Sequence, residues 1–237
     1  MLEVSLGIDV EPDCPPYLAT QYRGIEEGLP RVLDALDESG VTVTCFCTGG
    51  VAERYPRRVA DIVARGHELG CHGHTHRRFD RMGIDAARQE LATSTAVLRA
   101  FGTPVTSFRA PNLQFPAAYL PLLEEAGFRV DSSQAKYKAR YYVSRPRTRL
   151  TRIPASTTSS VLRLPAWLRD PWLTSLASPV VLFVHPWEFV DLTRERLRLD
   201  CRFRTGPPAL ADLRSVIALF RARGARFARM DALGAAA

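Results

Sequence analysis

The chain has no apolar run approaching the ~20 residues that a membrane-crossing helix needs, and none of its five cysteines stands at zinc-knuckle spacing from another. The first absence excludes a spanning segment, and the second argues against a small cysteine-held metal module. Cys45 and Cys47 stand two apart in a β-like run, sharing a face without the geometry to bridge, and Cys14, Cys71 and Cys201 are scattered. Reduced thiols in a cytosolic protein are therefore expected. No basic segment followed by an apolar core opens the chain, which starts Met1-Leu2-Glu3 and passes into strand-like alternation. The expected location is the cytoplasm or the cytoplasmic face of a membrane. There is no internal repeat, no dividing linker and no aromatic-basic interleaving of the kind nucleic-acid binders carry, so no nucleic-acid partner is expected.

Acidic residues are in deficit: 25 Asp and Glu face 32 Lys and Arg, a formal charge of +7. The excess lies mostly in the second half, in Arg140, Arg145, Arg147, Arg149, Arg152, Arg194, Arg196, Arg198, Arg202 and Arg204. It suits anionic partners, including phosphates and peripheral contact with an anionic membrane surface, although a solvated basic face is the favoured explanation. Otherwise the composition is ordinary, with 46% apolar and 24% charged residues. The 237 residues suffice for one large α/β domain spanning 1–237 around a single core.

Periodicity divides the chain into alternating elements. Val4, Leu6 and Ile8 alternate up to Asp9, a buried strand delivering a carboxylate at its C-terminal end. Ile25, Leu29, Val32, Leu33 and Leu36 recur at helical spacing before Gly40, and β-branched alternation resumes over Val41 to Cys47. Helices are expected over 55–65, 84 to about 102, 117–126 and 210–220. Strands are expected over 67–71, 106–109, 128–131, 180–184 and 226–229. The basic, proline-containing stretch 136–169 breaks the pattern and reads as an irregular or hairpin-like excursion. Strands and helices alternating throughout imply a parallel, closed sheet.

Four of the five histidines fall in one ten-residue window, His67, His72, His74 and His76. His72 and His76, spaced i, i+4, would share one face of a helical turn and could hold one divalent ion. Polar residues at strand ends add Asp9, Glu11, Arg109, Asp131 and His185, all expected at one rim. A hydrolytic metal site needs two or three protein ligands with an open position for water, a base, an oxyanion pocket and an acid for the leaving amine. His72, His76 and a carboxylate meet the first need, with Asp9 and His185 as base and acid.

In the order Gly7-Ile8-Asp9-Val10-Glu11, His67 to His76, Phe108-Arg109-Ala110-Pro111, Asp131-Ser132-Ser133 and Leu182-Phe183-Val184-His185-Pro186, the chain resembles the polysaccharide deacetylases over roughly residues 3–230. These are the NodB-homology group, or carbohydrate esterase family 4. The resemblance implies a distorted (β/α) barrel of about seven parallel strands and metal-dependent hydrolysis of an N-acyl, first of all N-acetyl, group on an amino sugar. It implies Asp9 as general base, His185 as general acid, Arg109 positioning the base and Asp131 tuning the histidine. It further implies His72 and His76 as ligands of one divalent ion, with zinc first and Co2+, Ni2+ or Mn2+ as alternatives. Leu182 would wall the acyl pocket, and the Asn112 backbone N–H would serve the oxyanion.

The first motif departs from the common pair of adjacent aspartates, since Val10 follows Asp9. The D-x-E form resembles that of cytoplasmic peptidoglycan deacetylases and of deformylases of lipid-linked aminoarabinose. Glu11 is accordingly the expected third ligand, with Asp13 as the alternative. Asn112 replaces a common tyrosine and Ala135 a common aromatic, which leaves the shape of the glycan groove open. His74 and His67 are expected to line or pack, Cys71 to fill, and Trp187 and Glu188 to line a sugar site. The expected substrate is an N-acylated amino sugar, free, lipid- or phosphate-linked, or polymeric. Other readings are a deformylase of a lipid-linked N-formyl sugar, a metal-independent amidase of the same fold, and an inactive glycan-binding module.

Overall fold

The computed structural model describes residues 1–143 and 146–235. Its elements run β1 (Glu3–Val10), α1 (Leu29–Glu38), β2 (Thr44–Cys47), α2 (Gly49–Arg54), α3 (Pro56–Ala64), β3 (Glu68–Cys71), α4 (Ile84–Arg99), β4 (Ser107–Phe108), α5 (Leu120–Glu125) and β5 (Val130–Asp131). They continue α6 (Arg140–Val143), β6 (Thr151–Arg152), α7 (Ala166–Thr174), β7 (Val180–Val184), α8 (Leu199–Arg202), α9 (Pro207–Ala222), β8 (Arg226–Phe227) and α10 (Met230–Ala235). The strands lie in the order β6-β5-β4-β3-β2-β1-β7, with β8 also beside β1, and every pairing is parallel. The sheet's two ends meet where the Ser156 N–H donates to the Val181 carbonyl (2.8 Å) and the Val181 N–H to Ser156 Oγ (2.9 Å). This is the expected distorted (β/α) barrel.

Local sequence accounts for the helices. In α1, Leu29, Val32, Leu33 and Leu36 form one buried stripe, Pro30 sits in the first turn where its missing N–H costs nothing, and Gly40 ends the helix at φ 55°. In α9, Ala209, Leu213, Val216, Ile217 and Phe220 do the same. These stripes cover the outward side chains of β1, Val4, Leu6, Ile8 and Val10, in one continuous core.

Strand alternation decides what the barrel interior receives. From β1 it receives Ser5, Gly7 and Asp9; from β2, Phe46; from β7, Val181 and Phe183. Phe46, Val181, Val130, Ile153 and Met230 fill it near the base. There too Glu68 accepts from Thr44 Oγ1 (2.6 Å), Ser107 Oγ and the Asp231 N–H (3.0 Å). Its burial pushes the carboxyl above the usual carboxylate range.

One element is added and two local expectations are corrected. The short helix α2, capped by Thr48 Oγ1 accepting the Val51 N–H (3.3 Å), follows β2 where periodicity gave no signal. The 136–169 stretch is not a hairpin: β6 pairs parallel to β5, the Thr151 and Ile153 N–H groups donating to the Arg129 and Asp131 carbonyls. Ser144 and Arg145 of that stretch lie outside the described residues, as do the last two residues of the 1–237 domain. Finally, His72 to His76 is an irregular loop, turned by positive φ at Gly73 (75°) and His76 (60°), rather than a helical turn.

Candidate metal and catalytic centre

At the C-terminal ends of β1, β3 and β7 a cleft of about 180 Å3 is lined by Asp9, Glu11, His72, His76, Asn112 and His185. One ligand atom each from Glu11, His72 and His76 lies within 4.8 Å of the others. Glu11 Oε2 is 3.2 Å from His72 Nε2 and 2.5 Å from His76 Nε2. His72 Nδ1 lies 2.7 Å from the Arg109 carbonyl, an atom that only accepts, so Nδ1 carries the proton. In the neutral ring Nε2 then turns a lone pair toward a carboxylate oxygen, an arrangement that calls for a cation between them. Burial alone would raise the Glu11 pKa, but the positive charges of His76 and His185 beside it hold it well below the usual range. A buried anion facing two imidazoles fits a zinc-type ion. Asp13 is elsewhere: its Oδ1 accepts the Gly24 N–H at 2.8 Å, and it does not join the cluster.

Asp9 comes off β1 beside this cluster, 3% exposed, with Oδ1 2.7 Å from Arg109 Nη1. Arg109 is fully buried, spans the interior and lies over the Phe46 ring, 4.2 Å from its centroid. Its Nη2 donates to Ser132 Oγ (3.1 Å). Glycine at position 7 leaves room for it there, since a Cβ would lie 2.6 Å from Arg109 Nη1. Asn112 and Leu113 both take positive φ, 59° and 50°, in a turn closed by the Leu113 N–H on the Ala110 carbonyl (3.0 Å). Lys138 Nζ donates to the Asn112 carbonyl (2.7 Å) and the Leu113 carbonyl (3.3 Å).

His185 ends β7 with Nε2 3.8 Å from Glu11 Oε1 and Nδ1 2.7 Å from Glu188 Oε1. Burial lowers its pKa, but Glu11 and Glu188 outweigh that and push it up to about 9. Glu188 is itself held anionic: burial would raise it, and Arg163, 2.8 Å away, together with His185 brings it below the usual range. The His185-Pro186-Trp187-Glu188 turn rests against Gly24 and Gly28, where a Cβ would come within 2.5 Å of the Trp187 N and 2.0 Å of the Pro186 O.

A sequence profile of the polysaccharide deacetylases matches residues 10–130. The chain belongs to the polysaccharide deacetylase family. Among curated relatives, a peptidoglycan deacetylase of Helicobacter pylori is 26% identical over 55% of this chain and 48% of its own length. A peptidoglycan-N-acetylglucosamine deacetylase of Bacillus cereus is 28% identical over 46% of this chain and 35% of its own. The chain thus spans about half or less of the curated relatives it matches. A family 4 carbohydrate esterase from Streptomyces lividans, solved in complex with acetate, shares the fold with a TM-score of 0.64 at 16% identity, over 94% of this chain and 90% of that one.

Within this polysaccharide deacetylase fold, the structure brings together Asp9, Glu11, His72, His76, Arg109, Asn112 and His185, and redistributes four expected residues. Asp131 does not touch His185. Alternation along β5 sends Ser132 inward to Arg109, while Asp131 binds the Ser133 N–H (2.9 Å) and Arg152 Nε (3.0 Å). Glu188 holds the histidine instead and, being 1% exposed, is no sugar contact. Leu182 points outward into the core, and its neighbour Phe183 lines the cleft with Leu113 and Tyr137. Trp187 borders the cleft but offers no free face, since its ring stacks on His185 (centroids 4.8 Å apart) and its Nε1–H reaches Glu11 Oε1 at 3.4 Å. His74 turns to α2, 3.7 Å from Glu53, and His67 Nδ1 accepts the Val43 N–H. Strict alternation counted back from His185 would have selected Phe183 over Leu182; nothing in the sequence marks Tyr137.

Proposed function

We propose that the chain is a hydrolase that removes an N-acyl group, N-acetyl first, from an amino sugar in a glycan or glycoconjugate. One observation carries the reading: the buried Glu11, His72 and His76 cluster shares a cleft with an arginine-held carboxylate and a carboxylate-held histidine. A zinc-type divalent ion held by Glu11, His72 and His76 would supply Lewis acidity and bring the pKa of water toward about 7. Asp9, paired with Arg109, takes a proton from the attacking water. The Asn112 N–H donates to the oxygen on which negative charge develops at the acyl carbon. His185, charged through its bond to Glu188, gives its proton to the departing nitrogen as the C–N bond breaks, leaving a carboxylate and a free amine.

The test measures acetate, formate and free amine over N-acetyl and N-formyl amino sugars, with and without a chelator. Metal-dependent release by the wild type, abolished in Asp9→Asn with metal content retained, is the expected result. Near-normal turnover in Asp9→Asn would overturn the assignment of the base, and turnover indifferent to chelation that of the metal.

A further inference from the structure

On the far side of the Asn112–Leu113 turn lies a second cavity of about 420 Å3, sharing Leu113 with the catalytic cleft and lined by Lys138, Arg140, Arg152 and Asp80. Its charges do not balance. Arg152 is paired with the buried Asp131 (3.0 Å), and Asp80 is taken up by Arg78, which donates to both its oxygens (3.0 and 2.7 Å). Among the described residues Lys138 and Arg140 have no ion-pair partner. Counting Lys138, Arg140 and Arg152 of the lining with Asp80, and their ion-pair partners Arg78 and Asp131, leaves an excess of two positive charges among these described residues. Lys138 is crowded enough that burial, with Arg78 and Arg140 beside it, pulls its pKa below the usual lysine range. Two of its three ammonium protons hold the Asn112 and Leu113 carbonyls, so the third remains for a ligand.

We propose that this cavity is a subsite for an anionic substituent, a phosphate or a carboxylate, on the substrate close to the sugar that is deacylated. The inference rests on the proposed function and narrows it to anionic amino-sugar conjugates. The half-buried Lys138 attracts an oxyanion more strongly than the same charge on an open surface, the exposed Arg140 adds its charge at the rim, and Lys138 ties that binding to the turn bearing the Asn112 N–H.

The zinc-loaded enzyme is assayed for kcat/KM on a neutral N-acetylglucosamine oligomer, the same sugar carrying a phosphate, and a disaccharide carrying a carboxylate. One or both anionic substrates should exceed the neutral one by about tenfold or more at low salt, narrowing as salt screens the charges. Which one does so identifies the source of the oxyanion. Arg140→Glu should cut the anionic-to-neutral ratio about tenfold, whereas Arg57→Glu, the same charge change on α3, should not move it. A ratio near one, or a ratio that Arg140→Glu leaves unchanged, overturns the proposal while leaving the proposed function intact. If no substrate is turned over, the proposed function fails. Calorimetric binding of the phosphate-bearing sugar then decides: binding lost in Arg140→Glu supports the subsite, and equal or absent binding overturns it.

Discussion

Glu188 lies 2.7 Å from Nδ1 of His185, three residues before it in the chain, and it takes the place beside this histidine that the family motif suggested for Asp131. The turn His185-Pro186-Trp187-Glu188 makes the pair locally, so no second strand is needed to deliver the carboxylate.

That pair sets a pH limit. The pKa of His185, raised to about 9 from an ordinary 6.5, means that its ion pairs stabilise the metal-free fold fully below about pH 6.5 and are lost as pH rises through about 9. The proposed general-acid role requires the same proton, so activity should fall along an alkaline limb. A divalent ion at Glu11 would share that carboxylate's charge, leaving Glu188 as the main support. Glu188→Gln should move the alkaline limb of kcat/KM down by about one pH unit or more. Asp131→Asn should not move it, and a shift in that variant instead would return the tuning role to Asp131.

Metal content distinguishes the two candidate carboxylates. Wild type should bind one zinc per chain, and Glu11→Gln should lose it, as measured by elemental analysis of dialysed protein. Asp13→Asn should retain full stoichiometry, because Asp13 Oδ1 is occupied by the Gly24 N–H. Zinc at about 100 times its Kd should stabilise wild type by about 2.7 kcal/mol and Glu11→Gln by much less, read as a shift in Tm.

Leu182 and Phe183 should separate stability from catalysis. Leu182→Ala removes a buried outward side chain and should cost about 2–5 kcal/mol in denaturant unfolding, with little change in kcat/KM of the folded fraction. Phe183→Ala opens the cleft and should change KM or acyl preference between acetyl and larger groups. Reversal of the two patterns would restore Leu182 as the pocket wall.

Gly7→Ala introduces a Cβ 2.6 Å from Arg109 Nη1, so the guanidinium must shift from its place over Phe46 and its bonds to Asp9 and Ser132. The expected cost is about 1–3 kcal/mol of stability. Activity should fall further than that, as Asp9 loses its partner, and normal kcat/KM in this variant would show that the Arg109 contact is dispensable.

Much of the centre was legible from periodicity because its residues end long apolar alternations. Asp9 follows Val4, Leu6 and Ile8, and His185 follows five consecutive apolar residues of β7, so strand length and burial announce where a polar residue breaks the pattern. β6 was harder: it holds two residues, too few for a period to emerge, and sits in a basic stretch that resembles a loop, whereas β4 and β5 fall inside the strands expected over 106–109 and 128–131. The helical reading of His72 to His76 failed for a related reason: i, i+4 spacing suits a helix, but Gly73 and His76 at positive φ bring the same two rings together without one.

The sequence by itself determined the alternating architecture, the family and the polar residues Asp9, Glu11, His72, His76, Asn112 and His185 that meet in the cleft, because these follow from hydrophobic period and from motif order. Tertiary structure alone decided which carboxylate serves which partner. A one-residue step along a strand reverses the face that a side chain sees, which sent Asp131 to Arg152, Ser132 to Arg109 and Leu182 to the outer core. It also decided that Lys138 and Arg140, unremarkable among so many basic residues, line a cavity beside the cleft with no ion-pair partner among the described residues, because only the folded chain determines which charges become neighbours.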